Sequence, residues 1–138
     1  MPTSSGTIVV DCSAVVELLV ADDPRGAEIA ALINDAPLAA PTVLPYEVAN
    51  VLRRFRNAQT FTTRQVESTW EQFSRLPIDL WPFDILAGRV HQLGGSLSSY
   101  DASYIALAEL LHIPLLTCDA KLASSAPTSC QIIVPIPH

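Results

Sequence analysis

The sequence is short of positive charge, of cysteine and of long apolar runs. Eight Lys and Arg stand against 14 Asp and Glu, a formal net charge of −6 over 138 residues. That balance excludes a broad basic face that grips nucleic acid by charge alone. The only cysteines are Cys12, Cys118 and Cys130, with no Cys-x-x-Cys pair. An odd number at such spacing excludes a disulfide framework and a zinc knuckle. No run of about 18 apolar residues is present, and Met1-Pro2-Thr3-Ser4-Ser5-Gly6 has neither a charged start nor an apolar stretch. The expectation is therefore a cytoplasmic protein with no membrane span and no signal peptide. No internal repeat, low-complexity tract or linker interrupts the chain. What is there is apolar and well dispersed: 49% of residues are hydrophobic and 16% charged, enough to exclude disorder and to fold as one domain over residues 1–138, with a core at about 7–134.

Hydrophobic periodicity divides the chain into short strands and helices. The β-branched run Thr7-Ile8-Val9-Val10 predicts a strand ending at Asp11, and Cys12 to Val20 carries Ala14, Val15, Leu18 and Leu19 at helical spacing. Asp22-Asp23-Pro24 reads as a stop and a restart, with a second helix to Ile33. Pro37 to Pro41 predicts a buried strand. A long helix follows from Thr42 to about Ala58, broken near its start by Pro45, with Val48, Val51, Leu52 and Phe55 on one face. Thr62 or Thr63 caps the next helix, to Leu76, and Ile78 to Trp81 alternates like a strand. Phe83 to Leu93 reads as a helix closed by Gly94-Gly95, and Ser98 or Ser99 caps another that ends near His112. Leu115 to Thr117 is a strand, Asp119 to Ser124 a short helix and Gln131 to Val134 a final strand. Five strands alternating with helices predict an α/β three-layer sandwich, a mostly parallel five-stranded sheet with helices on both faces.

In open α/β sheets the binding crevice lies beyond the carboxyl ends of the strands, so polar residues at strand-to-helix junctions carry the information. Four acids occupy such places. Asp11 closes the first strand and Asp119 the fourth; Asp101 and Glu47 sit in the first turns of two helices. Taken singly, each also reads as a helix cap or dipole partner, Asp101 completing a Ser98-x-x-Asp101 box. As a set they need a counter-charge, since carboxylates ending apolar strands are costly when unpaired. No basic residue lies near Asp11 or Asp101, and only Lys121 is close to Asp119. A hard divalent cation is the simplest partner, and carboxylates with water are the ligands of Mg²⁺ or Mn²⁺ rather than of zinc.

Four segments carry these acids. They are Val9-Val10-Asp11-Cys12-Ser13-Ala14, Pro45-Tyr46-Glu47-Val48-Ala49-Asn50-Val51-Leu52, Tyr100-Asp101-Ala102-Ser103-Tyr104-Ile105-Ala106-Leu107-Ala108 and Leu116-Thr117-Cys118-Asp119-Ala120-Lys121-Leu122. In order and content they resemble the signature segments of PIN-domain ribonucleases, and most closely those of VapC toxins from bacterial type II toxin–antitoxin pairs. The resemblance implies a PIN-like fold and a metal-dependent endoribonuclease that uses metal-activated water and leaves a 5′-phosphate and a 3′-hydroxyl. It makes Asp11, Glu47, Asp101 and Asp119 the ligands of one or two Mg²⁺ or Mn²⁺ ions; Lys121 stands where some relatives carry a further acid. Ser13 and Thr117 match positions whose hydroxyls support a carboxylate, although both also read as capping or strand-end hydroxyls. A homodimer, a VapB-like antitoxin that blocks the acidic site and an RNA substrate are the implied partners.

Asn50, three residues after Glu47, lies on its helix face and is placed to hold that carboxylate. Arg53, Arg54 and Arg56 form the one dense basic cluster, and Arg54 returns to the Glu47 face to receive a phosphate backbone, the alternative being a solvated helix face. Cys12 and Cys118 are expected to point away from the acids as inert thiols. Trp70, Phe73, Trp81, Phe83 and Tyr104 read as core or interface. His91, His112 and His138 follow no metal-ligand spacing, and His112 suits a helix C-terminus. Two rival readings stand beside the nuclease. One is a catalytically silent PIN-like RNA-binding or scaffold protein. The other is a receiver-like phosphoacceptor domain with Asp84 as acceptor, which leaves Glu47 and Asp101 without a role.

Overall fold

The structure is a computed structural model that describes residues 6–21 and 24–135. The Asp22-Asp23 break, the first five residues and His138 lie outside that range. In chain order the elements are β1 (Ile8–Val10), α1 (Cys12–Val20), α2 (Pro24–Ile33), β2 (Leu38–Pro41), α3 (Leu44–Asn57), α4 (Thr63–Ser74), β3 (Ile78–Trp81), a 3-10 turn (Phe83–Ile85), α5 (Ala87–Leu93), α6 (Ser99–Leu111), β4 (Leu115–Leu116), α7 (Ala120–Ser125) and β5 (Ile132–Ile133). The five strands form one sheet in the order β3-β2-β1-β4-β5, and all four pairings are parallel. The expected sheet is thus parallel throughout.

β1 is its centre. Ile8 and Val9 pair with Leu38 and Ala39 on one side, and Val9 and Val10 pair with Leu115 and Leu116 on the other. Every residue of β1 and β4 is buried, which is why both read as unbroken apolar runs rather than alternating ones. α6 packs against β1 and β2 and is buried without a break from Ala102 to Ala108, the pattern of a helix enclosed on all sides.

Local chemistry sets the helix starts. Asp11 caps α1 by accepting from the Ala14 amide, and Asp119 caps α7 by accepting from Leu122. Thr62 and Gln65 form a reciprocal capping box on α4, and Ser98 accepts from the Asp101 amide to start α6. α6 ends at His112 in the left-handed region, with φ 55°. Pro45 does not break α3; it sits in its first turn, where a missing N–H costs nothing. The segment after β3 is a 3-10 turn followed by a seven-residue helix, not one helix from Phe83. The break at Leu86 buries that side chain and leaves Phe83 and Ile85 exposed.

The strand order determines where a site can form. From β1 the chain moves outward to β2 and β3, then crosses back to place β4 on the other side of β1. The β1/β4 boundary is therefore the topological switch point, and the crevice lies beyond the carboxyl ends of those two strands. A receiver-like sheet runs 2-1-3-4-5 instead, and Asp84 is exposed on the 3-10 turn; that rival fails on both counts.

Candidate active site

Asp11 leaves β1 at the switch point and is 7% exposed. Its Oδ1 accepts from Ser13 Oγ at 2.7 Å and from the Ala14 amide at 3.0 Å, and its Oδ2 accepts from Thr117 Oγ1 at 2.5 Å. The two hydroxyls in turn accept from the chain leaving β4: Ser13 Oγ from the Cys118 amide at 2.9 Å and Thr117 Oγ1 from the Asp119 amide at 3.0 Å. Each hydroxyl thus has its proton committed to Asp11 and its lone pair to a backbone N–H. Burial pushes the Asp11 carboxyl up, the bonds from Thr117, Ser13 and Ala14 oppose it, and the Asp101 charge adds to the rise.

Glu47, in the first turn of α3, is half-buried and accepts from the Tyr104 hydroxyl at 2.5 Å. Burial raises its carboxyl, the tyrosine opposes, and the charges of Asp11 and Asp101 add to the rise. Asp101, in the first turn of α6, is raised by burial and then by Asp119, against its bond with Ser98. Tyr104 is itself pushed far up by burial and by Glu47, so it remains a proton donor. These groups line one cleft with a volume of about 570 Å³. A hollow of similar size, about 610 Å³, lies around Arg89, His112 and Cys130, but its single acid, Glu109, is engaged by Arg89 at 2.7 Å.

The other expected residues divide between the cleft and elsewhere. Asp119 and Asn50 line the cleft and are exposed. Glu47, however, is held by Tyr104 and not by Asn50; the contact spans 57 positions between two helices, where helix periodicity is silent. Thr117 turns its hydroxyl proton to Asp11 rather than to its neighbour Asp119. Arg54 lines the cleft, whereas Arg53 and Arg56 border a separate groove with Glu67 and Trp70 of α4. Cys12 and Cys118 border the cleft and are also packed against the core. Burial, reinforced by Glu47 and Asp11, pushes the Cys12 thiol up to about 12, so both acids and thiols share the opening without a thiolate. Phe73 and Tyr104 are buried, but Trp70 and Phe83 are exposed. Glu17, Tyr46, Tyr100 and Tyr104 are polar cleft residues that the sequence did not mark as part of a site; the pairs Tyr46-Glu47 and Tyr100-Asp101, each in a helix's first turn, are the available signal for two of them.

As a donor set the cleft offers five carboxylates, Glu17 of α1 beside the four expected acids, and no histidine. Among the described residues no three His, Cys, Asp or Glu side chains form a ready-made metal cage. Carboxylates without histidine are the donor chemistry of a hydrated hard cation, which takes one or two of them and keeps several waters, rather than of a closed tetrahedral zinc site. The three hydrogen bonds on Asp11 leave one of its roughly four acceptor positions open.

The family model described as PIN domain matches residues 8–126. The chain belongs to the PIN-domain family. This PIN domain is 35% identical over 118 residues to Ribonuclease VapC12 of Mycobacterium tuberculosis, covering 86% of this chain and 91% of that protein. It is 33% identical over 127 residues to Ribonuclease VapC9 of the same species, covering 92% and 97%. It therefore stands with the VapC ribonucleases, enzymes of the endoribonuclease class. Among solved structures, VapBC2 from Rickettsia felis bound to a DNA fragment from its promoter has the same fold, with a TM-score of 0.69 at 11% identity over 94% of this chain and 99% of that one. FitAB bound to the IR36 DNA fragment gives 0.61 at 14% identity over 95% and 98%. Among the described residues no helix of this PIN domain is long and apolar enough to cross a membrane.

Proposed function

We propose that this PIN domain, a single domain spanning about residues 7–134, is a Mg²⁺- or Mn²⁺-dependent endoribonuclease and the toxin of a type II toxin–antitoxin pair. The observation that carries this reading is the meeting of Asp11, Glu47, Asp101 and Asp119, from the starts of four different helices, in one cleft at the switch point of the sheet. All four acids line it, which favours an active enzyme over a silent relative. They would hold one or two ions. A bound divalent ion supplies Lewis-acid activation of water and stabilises the leaving oxygen of the phosphodiester. Ser13 and Thr117 fix Asp11 in orientation and favour its charged form against the burial that raises it, and Tyr104 does the same for Glu47. Arg54 is the cation on the cleft wall placed for a backbone phosphate.

A VapB-like antitoxin is the matching inhibitor, since a basic side chain entering an acidic cleft can stand in for a cation; the similarity to VapBC and FitAB assemblies supports such a partner. We further propose a homodimer and a cytoplasmic location, the latter supported by three unpaired thiols. The test is cleavage of RNA in Mg²⁺ by the purified protein. Asp11→Asn and Asp101→Asn abolish it with melting curves that still show a fold, and EDTA abolishes it in the unaltered protein. Full activity in either variant, or cleavage undiminished by EDTA, overturns the reading.

A further inference from the structure

Tyr46 and Tyr100 are 74% and 59% exposed, yet both line the acidic cleft. Each occupies the first turn of its helix, immediately before an acid of the site, in α3 and in α6. Successive helical residues are turned by about 100° from one another, so the half-buried Glu47 and Asp101 face the interior while the preceding tyrosine stays in water. The ring–ring contacts of the described residues lie elsewhere, at Phe55–Phe61 and Trp70–Phe73. Two large apolar rings left in solvent on either side of one cleft gain nothing from the core.

The charge of the cleft gives those rings a use. Five carboxylates (Asp11, Glu17, Glu47, Asp101 and Asp119) and one arginine line it, in a chain with a net charge of −6. Even with a divalent ion bound, such a surface attracts a polyanion weakly, and few phosphates can be neutralised by Lys or Arg. Beyond the one phosphate that Arg54 can hold, affinity for RNA must come from its uncharged parts. An unpaired base has a π-face on either side, and stacking on an exposed tyrosine is insensitive to phosphate repulsion. A duplex offers no such face, because its bases already stack on one another.

Resting on the ribonuclease reading, we propose that Tyr46 and Tyr100 are the substrate-positioning seat of the cleft, each stacking an unpaired base beside the scissile phosphate. The test is steady-state cleavage of a short single-stranded RNA and of the same sequence in a duplex. The duplex is cut far less well by the unaltered protein. Tyr46→Ala and Tyr100→Ala each raise KM about 5- to 100-fold, the range of one base–aromatic stack, with kcat nearly unchanged, while Tyr46→Phe and Tyr100→Phe keep the original KM. Salt weakens binding only slightly, with a log–log slope near the roughly −0.7 of a single phosphate contact. Both rings are exposed, so melting temperatures stay unchanged and folding does not confuse the result. Alanine variants with the original KM overturn the proposal, and if they instead lose an antitoxin, the tyrosines belong to a protein interface. Leucine variants as good as phenylalanine also overturn it, since no stacking is then involved. If the unaltered protein cuts neither RNA, the ribonuclease reading itself has failed.

Discussion

The Tyr104 hydroxyl donates to Glu47 Oε1 at 2.5 Å, joining the enclosed helix α6 to the first turn of α3. Tyr104 is 1% exposed, so its ring is fixed by the core and its hydroxyl fixes the carboxylate in turn. Partners of this kind, one step behind a ligand, typically carry 10- to 100-fold of cation affinity or activity. Tyr104→Phe keeps the packing and removes only the donor. We expect the Mn²⁺ affinity of the protein to fall by about that factor, measured by calorimetric titration, with thermal stability changed far less. Unaltered affinity would show that Glu47 finds its position without help.

The carboxyls of Asp11, Glu47 and Asp101 all stand above the ordinary range, each first through burial and then through a neighbouring acid. Their ionised forms therefore disfavour folding. The stability linked to them is fully present below the ordinary carboxylate values of about 4 and is lost as pH rises through the raised values of the folded state. In EDTA the melting temperature should fall as pH is raised above about 4, and Asp101→Asn should raise it at neutral pH. Divalent ion should restore the unaltered protein, by about 2.7 kcal/mol at a hundredfold excess over Kd. A melting temperature in EDTA that is flat or rising over this range would contradict the argument.

Thr117 is fully buried, donates to Asp11 and accepts from the Asp119 amide. Thr117→Val preserves its shape and leaves both groups without that partner. The expected cost is about 1–3 kcal/mol in urea unfolding for a buried group left unpaired, together with a loss of RNA cleavage. Thr117→Ser, which keeps the hydroxyl, should recover most of both. Equal stability of the valine and serine variants would remove Thr117 from the network.

The basic cluster of α3 divides by face. Arg54 lines the cleft, while Arg53 and Arg56 turn toward α4. Arg54→Ala should raise KM for RNA several-fold and flatten its salt dependence by about one phosphate contact. Arg53→Ala and Arg56→Ala should leave both unchanged, and an equal loss in all three would mean that RNA tracks the outside of the helix.

Much of this was legible in the residues themselves because it is local. β-branched and apolar runs mark β1 and β4, and Thr62, Ser98, Asp11 and Asp119 announce helix starts by capping chemistry that spans three positions. Asp11 and Asp119 show that capping a helix and lining the crevice are not alternatives: the same carboxylate that ends a strand starts the next helix at the mouth of the crevice. Contacts between distant elements left no periodic trace. Tyr104 reads as core, and it is core, but its hydroxyl reaches Glu47 across the interior. Cys12 and Cys118 border both cleft and core because the chain turns from strand to helix there, and alternation along a strand no longer governs side-chain direction.

The bond from Thr117 to Asp11 spans 106 positions, and it has a meaning in time as well as in space. At about 5–20 residues per second of synthesis, a growing chain carries Asp11 for roughly 5–20 s before Thr117 has been added. During that interval β1 has no β4 to pair with, and the buried acid has neither its donor nor the wall that encloses it. The cleft that joins Asp11 to the chain leaving β4 is therefore among the last parts of the molecule to form.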